Sequence, residues 1–298
     1  MDGILVLNKP EGMTSRGAVN RVQRRIRPVK VGHAGTLDPL ATGVLVCCLG
    51  AATRLIEYIQ MMPKTYIGTF ELGKTSDTED ITGEITLFED APEITRDQLE
   101  QLLPEFLGTI QQRPPSYSAI HVDGQRAYHL ARQGQHVELP SRPVQIHSLK
   151  LLEFAYPHFT LEINCGSGTY VRSLGRDIAL RLNSGAVMSE LERTAIGQFN
   201  LADAQHPDSL DDFNWQQDLK SLETAITLLP QILLTDHEIN ELKFGRFIDR
   251  EIEAEISLKA TTDEVAALTE SGQLVAILMK RSPGVWKTAK NFSHLLSE

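Results

Sequence analysis

The strongest candidate for chemistry in this sequence is Asp38, an acidic side chain in a loop of small residues just before an apolar run. Two glycines of the loop, Gly32 and Gly35, permit backbone angles and close approaches that other residues do not allow. Pro39 biases Asp38 toward an extended conformation. Such a loop can present a carboxylate to a ligand. It can equally use the carboxylate to cap a turn, because Asp before Pro commonly opens one, and the loop alone leaves both readings open.

A second candidate is the stretch 113–143, which combines basic and aromatic residues without a regular period. Bases of single-stranded RNA stack on aromatic rings while their phosphates attract arginine, so this composition suits an RNA contact. An ordinary surface loop has a similar composition, and both interpretations stay open. The residues concerned are Arg113, Pro114, Pro115, Tyr117, His121, Gly124, Arg126, Tyr128, His129, Arg132, Gly134 and Arg142.

Arginines also stand beside the apolar stripes of two predicted helices. They are Arg21, Arg24 and Arg25 on the first helix and Arg172, Arg176 and Arg181 on the second. On the first helix, which ends before Pro28, they form either a solvated face or a ridge that binds phosphate. On the second helix, Tyr170 and Arg172 lie at the start, where side chains can face a cleft.

Sites for metals and nucleotides are not supported by the spacing of the candidate ligands. The acidic loop 73–83 lacks the ligand order of an EF-hand, so a structured turn is expected there. The turn 166–169 lacks the Gly-Lys-Ser/Thr ending of a Walker loop. Cys47, Cys48 and Cys165 favour buried thiols over disulfides or zinc, and no pair of the nine histidines has metal-ligand spacing. We therefore expect no metal.

The elements that position these residues follow from hydrophobic periodicity. Strands are predicted at 4–8, 44–49, 65–72, 146–156, 159–165, 191–199, 251–258, 274–279 and 286–288. Helices are predicted from the N-cap Thr14 or Ser15, from the capping box of Thr95 and Gln98 through Leu107, after residue 169, and from the box of Thr235 and Glu238. In the strand 191–199, Arg193 falls on the polar side.

Length and charge limit the class of protein. At 298 residues, with 41% hydrophobic and 23% charged residues, the chain suits one large and one small, mainly β domain, which we place at 1–228 and 229–298. The net charge of −10 hides a basic opening, because nine basic residues face four acidic ones over 1–64. An RNA partner is therefore compatible with the overall acidity. The sequence contains no apolar run of membrane-spanning length and no signal-type N-terminus, so a cytoplasmic location is expected.

The glycine-bounded loop is part of a longer set of motifs. The segment Gly32-His33-Ala34-Gly35-Thr36-Leu37-Asp38-Pro39-Leu40-Ala41-Thr42-Gly43 resembles the signature of the TruB family of tRNA pseudouridine-55 synthases. Further matches are Asn8-Lys9-Pro10 with Gly12 and Thr14-Ser15, Lys64-Thr65-Tyr66, Ser76-Asp77-Thr78 with Asp80 and Gly83, Arg113-Pro114-Pro115 with Tyr117-Ser118-Ala119, and Gly168-Thr169-Tyr170-Val171-Arg172. They follow the family's order from about Ile4 to Arg193, with Ser76 where the family usually has Thr. This resemblance favours a functional Asp38 over a turn cap.

The resemblance implies an α+β fold, with a mixed, largely antiparallel central sheet flanked by helices. It further implies that 1–228 is the catalytic domain, that 113–143 is an insertion that closes over RNA, and that 229–298 is a shortened PUA-like domain. The implied reaction converts one uridine to pseudouridine: the N-glycosidic bond breaks, the base rotates, and the base is rejoined through C5. Neither a metal nor another cofactor is required.

The family's functional residues map onto this sequence position by position. Asp38 matches the essential carboxylate, Arg172 the cation that keeps it ionised, and Tyr66 the ring that stacks under the base and moves a proton at C5. Tyr170 and Leu191 match positions that line the pocket, and His33 matches the histidine that holds the T loop open after base flipping. Lys9, Asp80 and Arg113 stand in motifs expected at the substrate.

The expected partner is the T stem-loop of tRNA, bound by a monomer without a guide RNA, an obligate protein partner or a membrane. Two alternatives share the motifs. A guide-RNA-dependent relative has the same Asp loop, but the first predicted strand begins almost at Met1 and no long basic tail is present, which favours the stand-alone enzyme. A tRNA-folding RNA chaperone with secondary catalysis is the other alternative, and the intact set of Asp38, Tyr66 and Arg172 argues against loss of catalysis.

Overall fold

The computed structural model describes residues 1–118, 120–122, 125–127, 130, 133, 139–211, 213–215, 217–251 and 263–296. Within them the chain has the expected α+β architecture, with a mixed main sheet and a second sheet near the C-terminus. Parts of two predicted segments lie outside the described residues. They are Ala119, Gly124, Tyr128, His129, Arg132 and Gly134, the side chains of His121 and Arg126, and residues 252–258 of a predicted strand.

Of the five helices whose bounds lie among the described residues, the first, third and fifth begin at capping residues that the sequence predicts. The five are α1 (Ser15–Ile26), α2 (Ile56–Met61), α3 (Arg96–Leu102), α4 (Val171–Arg181) and α5 (Asp236–Lys243). Thr14 caps α1 by accepting a hydrogen bond from the amide of Gly17, and both predicted capping boxes are present. The helix expected to reach Leu107 ends earlier as α3 and continues as a 3₁₀ turn, Leu103–Phe106, because Pro104 has no amide hydrogen to donate.

The strands of the main sheet and the small hairpins come first in the chain. They are β1 (Gly3–Lys9), β2 (Val31–His33), β3 (Thr42–Leu49), β4 (Lys64–Leu72), β5 (Lys74–Ser76), β6 (Ile85–Leu87), β7 (Gly108–Gln112), β8 (His121–Val122), β9 (Gln125–Arg126), β10 (Arg142–Ala155), β11 (His158–Cys165), β12 (Ala186–Ile196) and β13 (Phe199–Asn200). The C-terminal strands are β14 (Gln231–Leu233), β15 (Ile248–Asp249), β16 (Glu264–Leu268), β17 (Leu274–Ser282) and β18 (Val285–Asn291). The predicted hairpin of β10 and β11 is confirmed, and Arg142 belongs to β10 rather than to a loop.

The main sheet has the strand order β1-β3-β12-β4-β11-β10-β7, with β2 paired to β3 and β13 paired to β12. All of its pairings are antiparallel except the short parallel contact of β12 with β3. The side chains of β4 alternate as predicted, with Tyr66, Gly68 and Phe70 on the buried side. Helix α4 packs its apolar stripe into the same core, which includes Phe70 and Leu174. The sheet therefore brings β3, β12 and β4 side by side beneath the start of α4.

The second sheet has the order β14-β16-β17-β18-β15 and packs against the main domain. One hydrophobic cluster includes Val46 of β3 and Ile277 of β17, so the two sheets share part of their core. Polar contacts accompany this packing: the Tyr58 hydroxyl lies 2.9 Å from a carboxylate oxygen of Glu264. Within the described residues, every helix is too short or too polar to span a membrane.

Candidate active site

The loop that carries Asp38, residues 34–41 between β2 and β3, is fastened to the start of α1 and is called the Asp38 loop. The hydroxyl of Ser15 donates to the carbonyl of Leu37 at 3.0 Å and accepts from its amide at 2.8 Å. The amide of Gly12 donates to the carbonyl of Pro39 at 2.8 Å. The loop is therefore held by backbone bonds on both sides of Asp38, and the carboxylate is left free to make other contacts.

The carboxylate of Asp38 faces Arg172, which lies in the first turn of α4. Its Oδ2 atom is 3.1 Å from Nη2 of Arg172, and the Asp38 side chain is 40% exposed whereas that of Arg172 is 7% exposed. Among the described residues, the Asp38 carboxylate pairs with Arg172 and accepts no hydrogen bond from a backbone amide. The geometry therefore favours a carboxylate presented to a ligand over a turn cap.

Arg172 is held on its other sides by two further segments. Its Nη1 donates to the carbonyl of Thr78 at 2.6 Å and lies 3.5 Å from the carboxylate of Asp80. Its Nη2 donates to the carbonyl of Tyr117 at 3.2 Å. A guanidinium with donors in a fixed planar fork can satisfy several acceptors at once. Arg172 thus joins the Asp38 loop, the acidic loop and the first residues of the 113–143 segment.

The acidic loop 73–83 forms a structured turn around Asp80, as predicted. The Asp80 carboxylate accepts hydrogen bonds from the hydroxyl of Thr78 at 2.7 Å and from the hydroxyl of Thr82 at 2.6 Å. The Ser76 hydroxyl donates to the carbonyl of Asp80 at 2.6 Å. Nothing in the described part of the chain gathers three or more potential metal ligands into one group.

Glu79, next to Asp80, is buried against helix α4. Its carboxylate accepts from the hydroxyl of Ser173 at 2.6 Å and pairs with Arg176, one turn after Arg172. Arg176 also donates to the carbonyl of Arg113 at 2.9 Å. Burial raises the pKa of Glu79, and the charge of Arg176 opposes that rise. Arg172 and Arg176 of α4 therefore hold the same two segments, the acidic loop and the 113–143 segment.

Lys9, at the end of β1, is fully buried beneath the Asp38 loop. Its ammonium group donates to the carbonyls of Pro10 at 2.9 Å, Met13 at 2.7 Å and Pro39 at 3.3 Å. Burial lowers the pKa of Lys9 to about 8, and the nearby charge of Asp38 opposes this. The structure places Lys9 where it fastens the loop, and its expected contact with substrate remains a prediction.

Tyr66 and Leu191 lie on adjacent strands of the sheet beneath the loop. Tyr66 of β4 is opposite Arg193 of β12, and Leu191 of β12 is opposite Gly68 of β4. Both side chains are buried. Burial raises the pKa of Tyr66, while the charge of Arg193 and its hydrogen bond to Tyr66 oppose the rise. The sheet register therefore places these predicted site residues near one another.

Tyr170, the N-cap residue of α4, is held by the buried side-chain amide of Gln112. The Gln112 side chain accepts from the Tyr170 amide at 2.8 Å and donates to its carbonyl at 3.1 Å. The guanidinium carbon of Arg142 lies 5.2 Å from the centre of the Tyr170 ring, a cation–π distance. Sequence reasoning missed Gln112, because a glutamine at the end of a short strand carries no pattern that marks it.

His33 ends β2 and directly precedes the Asp38 loop. Its Nδ1 atom is buried and has no hydrogen-bond partner among the described residues. Burial lowers the pKa of His33, and the charge of Arg193 lowers it further. A hydrogen bond with the backbone of Gly35 opposes this lowering, and the contact of His33 with a ligand stays a prediction.

Arg113 lies apart from Asp38, at a separate cavity of about 210 Å³. Thr75, Asp77 and Arg176 also line this cavity, which lies between the acidic loop and the 113–143 segment. Ala127 and Leu139 of the 113–143 segment form a small buried cluster of their own. The described part of the segment thus packs as a folded insertion, and its contact with RNA stays a prediction.

One arginine prediction needs correction, and another stays open. Arg193, expected on the polar side of its strand, is 1% exposed, because the Asp38 loop covers that side of β12. Arg21 and Arg25 of α1 lie partly exposed at the surface and pair with Asp208 and Asp211, so both interpretations of this face, solvated or phosphate-binding, stay open. Arg193 was missed as a site residue because its partners are backbone carbonyls, which leave no signal in a sequence.

Comparison with known proteins gives the same family along most of the chain. Residues 23–171 match the TruB family pseudouridylate synthase N-terminal domain. A protein named tRNA pseudouridine synthase B from Dehalococcoides mccartyi is 40% identical over 296 residues, which cover 98% of this chain and 97% of that protein. Proteins of the same name from Parabacteroides distasonis and Bacillus cytotoxicus are 45% and 38% identical, over 73% and 86% of this chain and 95% and 87% of their own lengths.

Solved structures agree with this fold. A chain from the crystal structure of a Cbf5-Nop10-Gar1 complex superposes with a TM-score of 0.76 at 25% identity, covering 97% of this chain and 84% of that one. A chain from an H/ACA RNP bound to a substrate RNA containing 2'-deoxyuridine has a TM-score of 0.73 at 24% identity and covers 97% of this chain and 84% of its own. The similarity extends over both sheets.

Proposed function

Because the chain belongs to the TruB family of pseudouridylate synthases, we propose that it converts the uridine at position 55 in the T loop of tRNA to pseudouridine. The three relatives named above are each called tRNA pseudouridine synthase B, which supports tRNA as the substrate class. The observation that carries the proposal is the half-exposed carboxylate of Asp38, 3.1 Å from a guanidinium that is itself nearly buried.

The reaction is an isomerisation, so its atoms and electrons balance without a co-reactant. The bond between C1' and N1 breaks, the bond between C1' and C5 forms, C5 loses a proton and N1 gains one. Asp38 supplies the carboxylate that this exchange needs, as a nucleophile toward the sugar or the base or as a base. Arg172 pairs with the carboxylate and fixes its direction, because Thr78 and Tyr117 immobilise the guanidinium on its other sides.

The remaining site residues receive the flipped nucleotide. Tyr66 stacks under the uracil and moves a proton at C5, while Leu191 and Tyr170 line the space around it. His33, which directly precedes the Asp38 loop, holds the T loop open after base flipping. Lys9 and Asp80 hold the loops around Asp38, and Arg113 contributes a cation on the insertion 113–143.

The substrate is bound by a monomer without a guide RNA. Residues 1–228 form the catalytic domain, and residues 229–298 form the PUA-like domain. The shared core of the two sheets supports a fixed geometry between these domains. Titration of labelled tRNA against the full chain, with sedimentation to give the mass of the complex, tests the one-to-one stoichiometry.

The central test uses an unmodified tRNA transcript, the purified chain and no guide RNA. We expect pseudouridine at position 55 with the wild type and none with Asp38→Asn, when both bind the transcript with similar affinity. Mapping by chemical modification and reverse transcription identifies the position. Robust activity of Asp38→Asn would overturn the assignment. Product that forms only with an added guide RNA would favour the guide-RNA-dependent alternative. Refolding of tRNA without any pseudouridine would favour the RNA chaperone.

A further inference from the structure

Arg193 lies at the junction of the three strands that carry the candidate site. In β12 it is paired with Gly43 of β3 in the parallel register and with Tyr66 of β4 in the antiparallel register. Gly43 has a φ of +96°, and a Cβ there would overlap the carbonyl oxygen of Arg193. The absence of a side chain at residue 43 therefore lets β12 approach the end of the Asp38 loop closely.

The guanidinium of Arg193 fastens the Asp38 loop to the strand that follows it. Its Nε donates to the carbonyl of Val44 at 2.7 Å, and its Nη2 donates to the carbonyl of Gly35 at 3.0 Å. Gly35 precedes Asp38 and Val44 follows it. One side chain therefore holds both ends of the segment that presents the carboxylate, and its position limits how far Asp38 can move.

The charge of Arg193 is not neutralised by an acid. Among the described residues, no carboxylate forms an ion pair with it, although the side chain is 1% exposed. The charge of Arg193 lowers the pKa of four neighbouring groups, Lys9, His33, Lys64 and Tyr66. None of these four is a carboxylic acid that could neutralise the charge. Burying an unpaired charge carries a large desolvation cost, greater than that of burying a neutral polar group. A neutral amide would suffice to bind carbonyls, so the charge itself needs an explanation.

We propose that Arg193 is a positioning residue for pseudouridine formation, holding the Asp38 loop in register with Tyr66 and placing an unneutralised positive charge beneath the reacting uracil. When the bond between C1' and N1 breaks, its electron pair stays with the uracil, which becomes negative until C5 bonds to C1'. A fixed buried cation favours that state without reorganising. The inference rests on the proposed function and adds to it a residue outside the Asp38–Arg172 ion pair.

The test compares three substitutions of Arg193 at a temperature where each variant is folded. Arg193→Met removes the charge and the donors, Arg193→Gln keeps an amide donor without the charge, and Arg193→Lys keeps the charge with a different donor geometry. The measurements are the single-turnover rate with saturating tRNA and the Kd for tRNA. Val275→Ala, which truncates a buried side chain in β17 away from the site, serves as the control for lost stability.

We expect Arg193→Met to lower the single-turnover rate by about 100-fold, the loss that follows a small misplacement of a catalytic group. The Kd should change by less than about 3-fold, because Arg193 is buried beneath the loop and does not reach the tRNA surface. Arg193→Lys should recover part of the rate, and Arg193→Gln should recover less than Arg193→Lys. Val275→Ala should lower the unfolding temperature and leave the rate near that of the wild type.

Three results would overturn the inference. They are a rate for Arg193→Met within about 2-fold of the wild type, equal losses in rate and affinity, or an Arg193→Gln rate that matches or exceeds that of Arg193→Lys. If Arg193→Met does not fold, the Lys and Gln variants decide by their order. Asp38→Asn is measured in the same series: an active Asp38→Asn contradicts the proposed function, whereas an inactive one with a fully active Arg193→Gln contradicts only the role of Arg193.

Discussion

Helices α1 and α4 each carry two arginines one turn apart beside an apolar stripe, yet the structure uses them differently. On α1, Arg21 and Arg25 are 34% and 28% exposed and pair with Asp208 and Asp211, which are more exposed still. On α4, the side chains of Arg172 and Arg176 are 7% and 13% exposed, and each holds a carboxylate and at least one backbone carbonyl. The same sequence pattern thus gives a surface pair in one helix and a buried network in the other.

The difference comes from the segments that cover each helix. Leu210, Phe213 and Trp215, which follow the last strand of the main sheet, pack into the core that α1 shares with β1. Helix α4 begins where the Asp38 loop, the acidic loop and the 113–143 segment converge. A charged face therefore becomes buried when several loops place their polar groups on it, whereas a single covering segment leaves the arginines in surface ion pairs.

The largest expected effect is at Arg172. Arg172→Ala removes the partner of Asp38 and the link between three segments, so the single-turnover rate should fall by about 1000-fold, as when a transition-state donor is removed. Affinity for tRNA should fall by less than about 3-fold, because a 7% exposed side chain has little surface to offer a phosphate. Rapid-quench assays and filter binding with unmodified tRNA measure the two quantities.

The matched control for Arg172 is Arg181→Ala on the same helix. Arg181 is an exposed arginine that pairs with Glu105, so its loss should leave the rate within about 2-fold of the wild type. If Arg172→Ala lost rate and affinity equally, Arg172 would be a phosphate contact, and the contrast with α1 would disappear.

A smaller effect is expected one turn further along α4. Glu79→Gln leaves Arg176 without its buried carboxylate and loosens the turn that offers Thr78 and Asp80 to Arg172. Breaking a buried ion pair typically costs about 3 kcal/mol of unfolding free energy, and we expect a loss of that order with a rate about 10-fold lower. Urea denaturation and single-turnover assays measure both, with Arg181→Ala again as the control. Full stability and full rate for Glu79→Gln would show that the turn holds its shape without this pair.

A still smaller effect is expected at His33, a partly buried ionisable residue near Asp38: a change in the free energy of unfolding with pH. Burial lowers its folded-state pKa below the ordinary value of 6.5, so the unfolded chain binds a proton more readily. The contribution of neutral His33 to the free energy of unfolding is therefore fully present above pH 6.5, and it is lost as the pH falls from there toward the folded-state pKa. His33→Asn should lose less stability than the wild type between pH 7 and pH 5 in urea denaturation. Parallel curves for the two proteins would contradict a buried neutral histidine.

The sequence predicted most of the scaffold because its signals were local. Capping boxes fixed the starts of α3 and α5, and alternation along β4 placed Tyr66 on the buried side. The motif around Asp38, together with that around Arg172, predicted an ion pair that the structure contains. Arg193 and Gln112 could not be found in this way. Their partners are backbone carbonyls and amides of segments far away in the chain, and such partners depend on tertiary packing rather than on residue type.

The smallest effect is expected on α1, where Arg21→Ala and Arg25→Ala test the opposite end of the comparison. Exposed ion pairs contribute about 0.5 kcal/mol or less, so a double-mutant cycle of Arg21 with Asp208 should give a coupling energy of that size by urea denaturation. Affinity for tRNA should stay within about 2-fold of the wild type, because Asp208 and Asp211 already neutralise the arginines. A tenfold loss of tRNA affinity in either variant would instead mean that tRNA displaces the carboxylates, and α1 would then be the phosphate-binding ridge that its sequence allows.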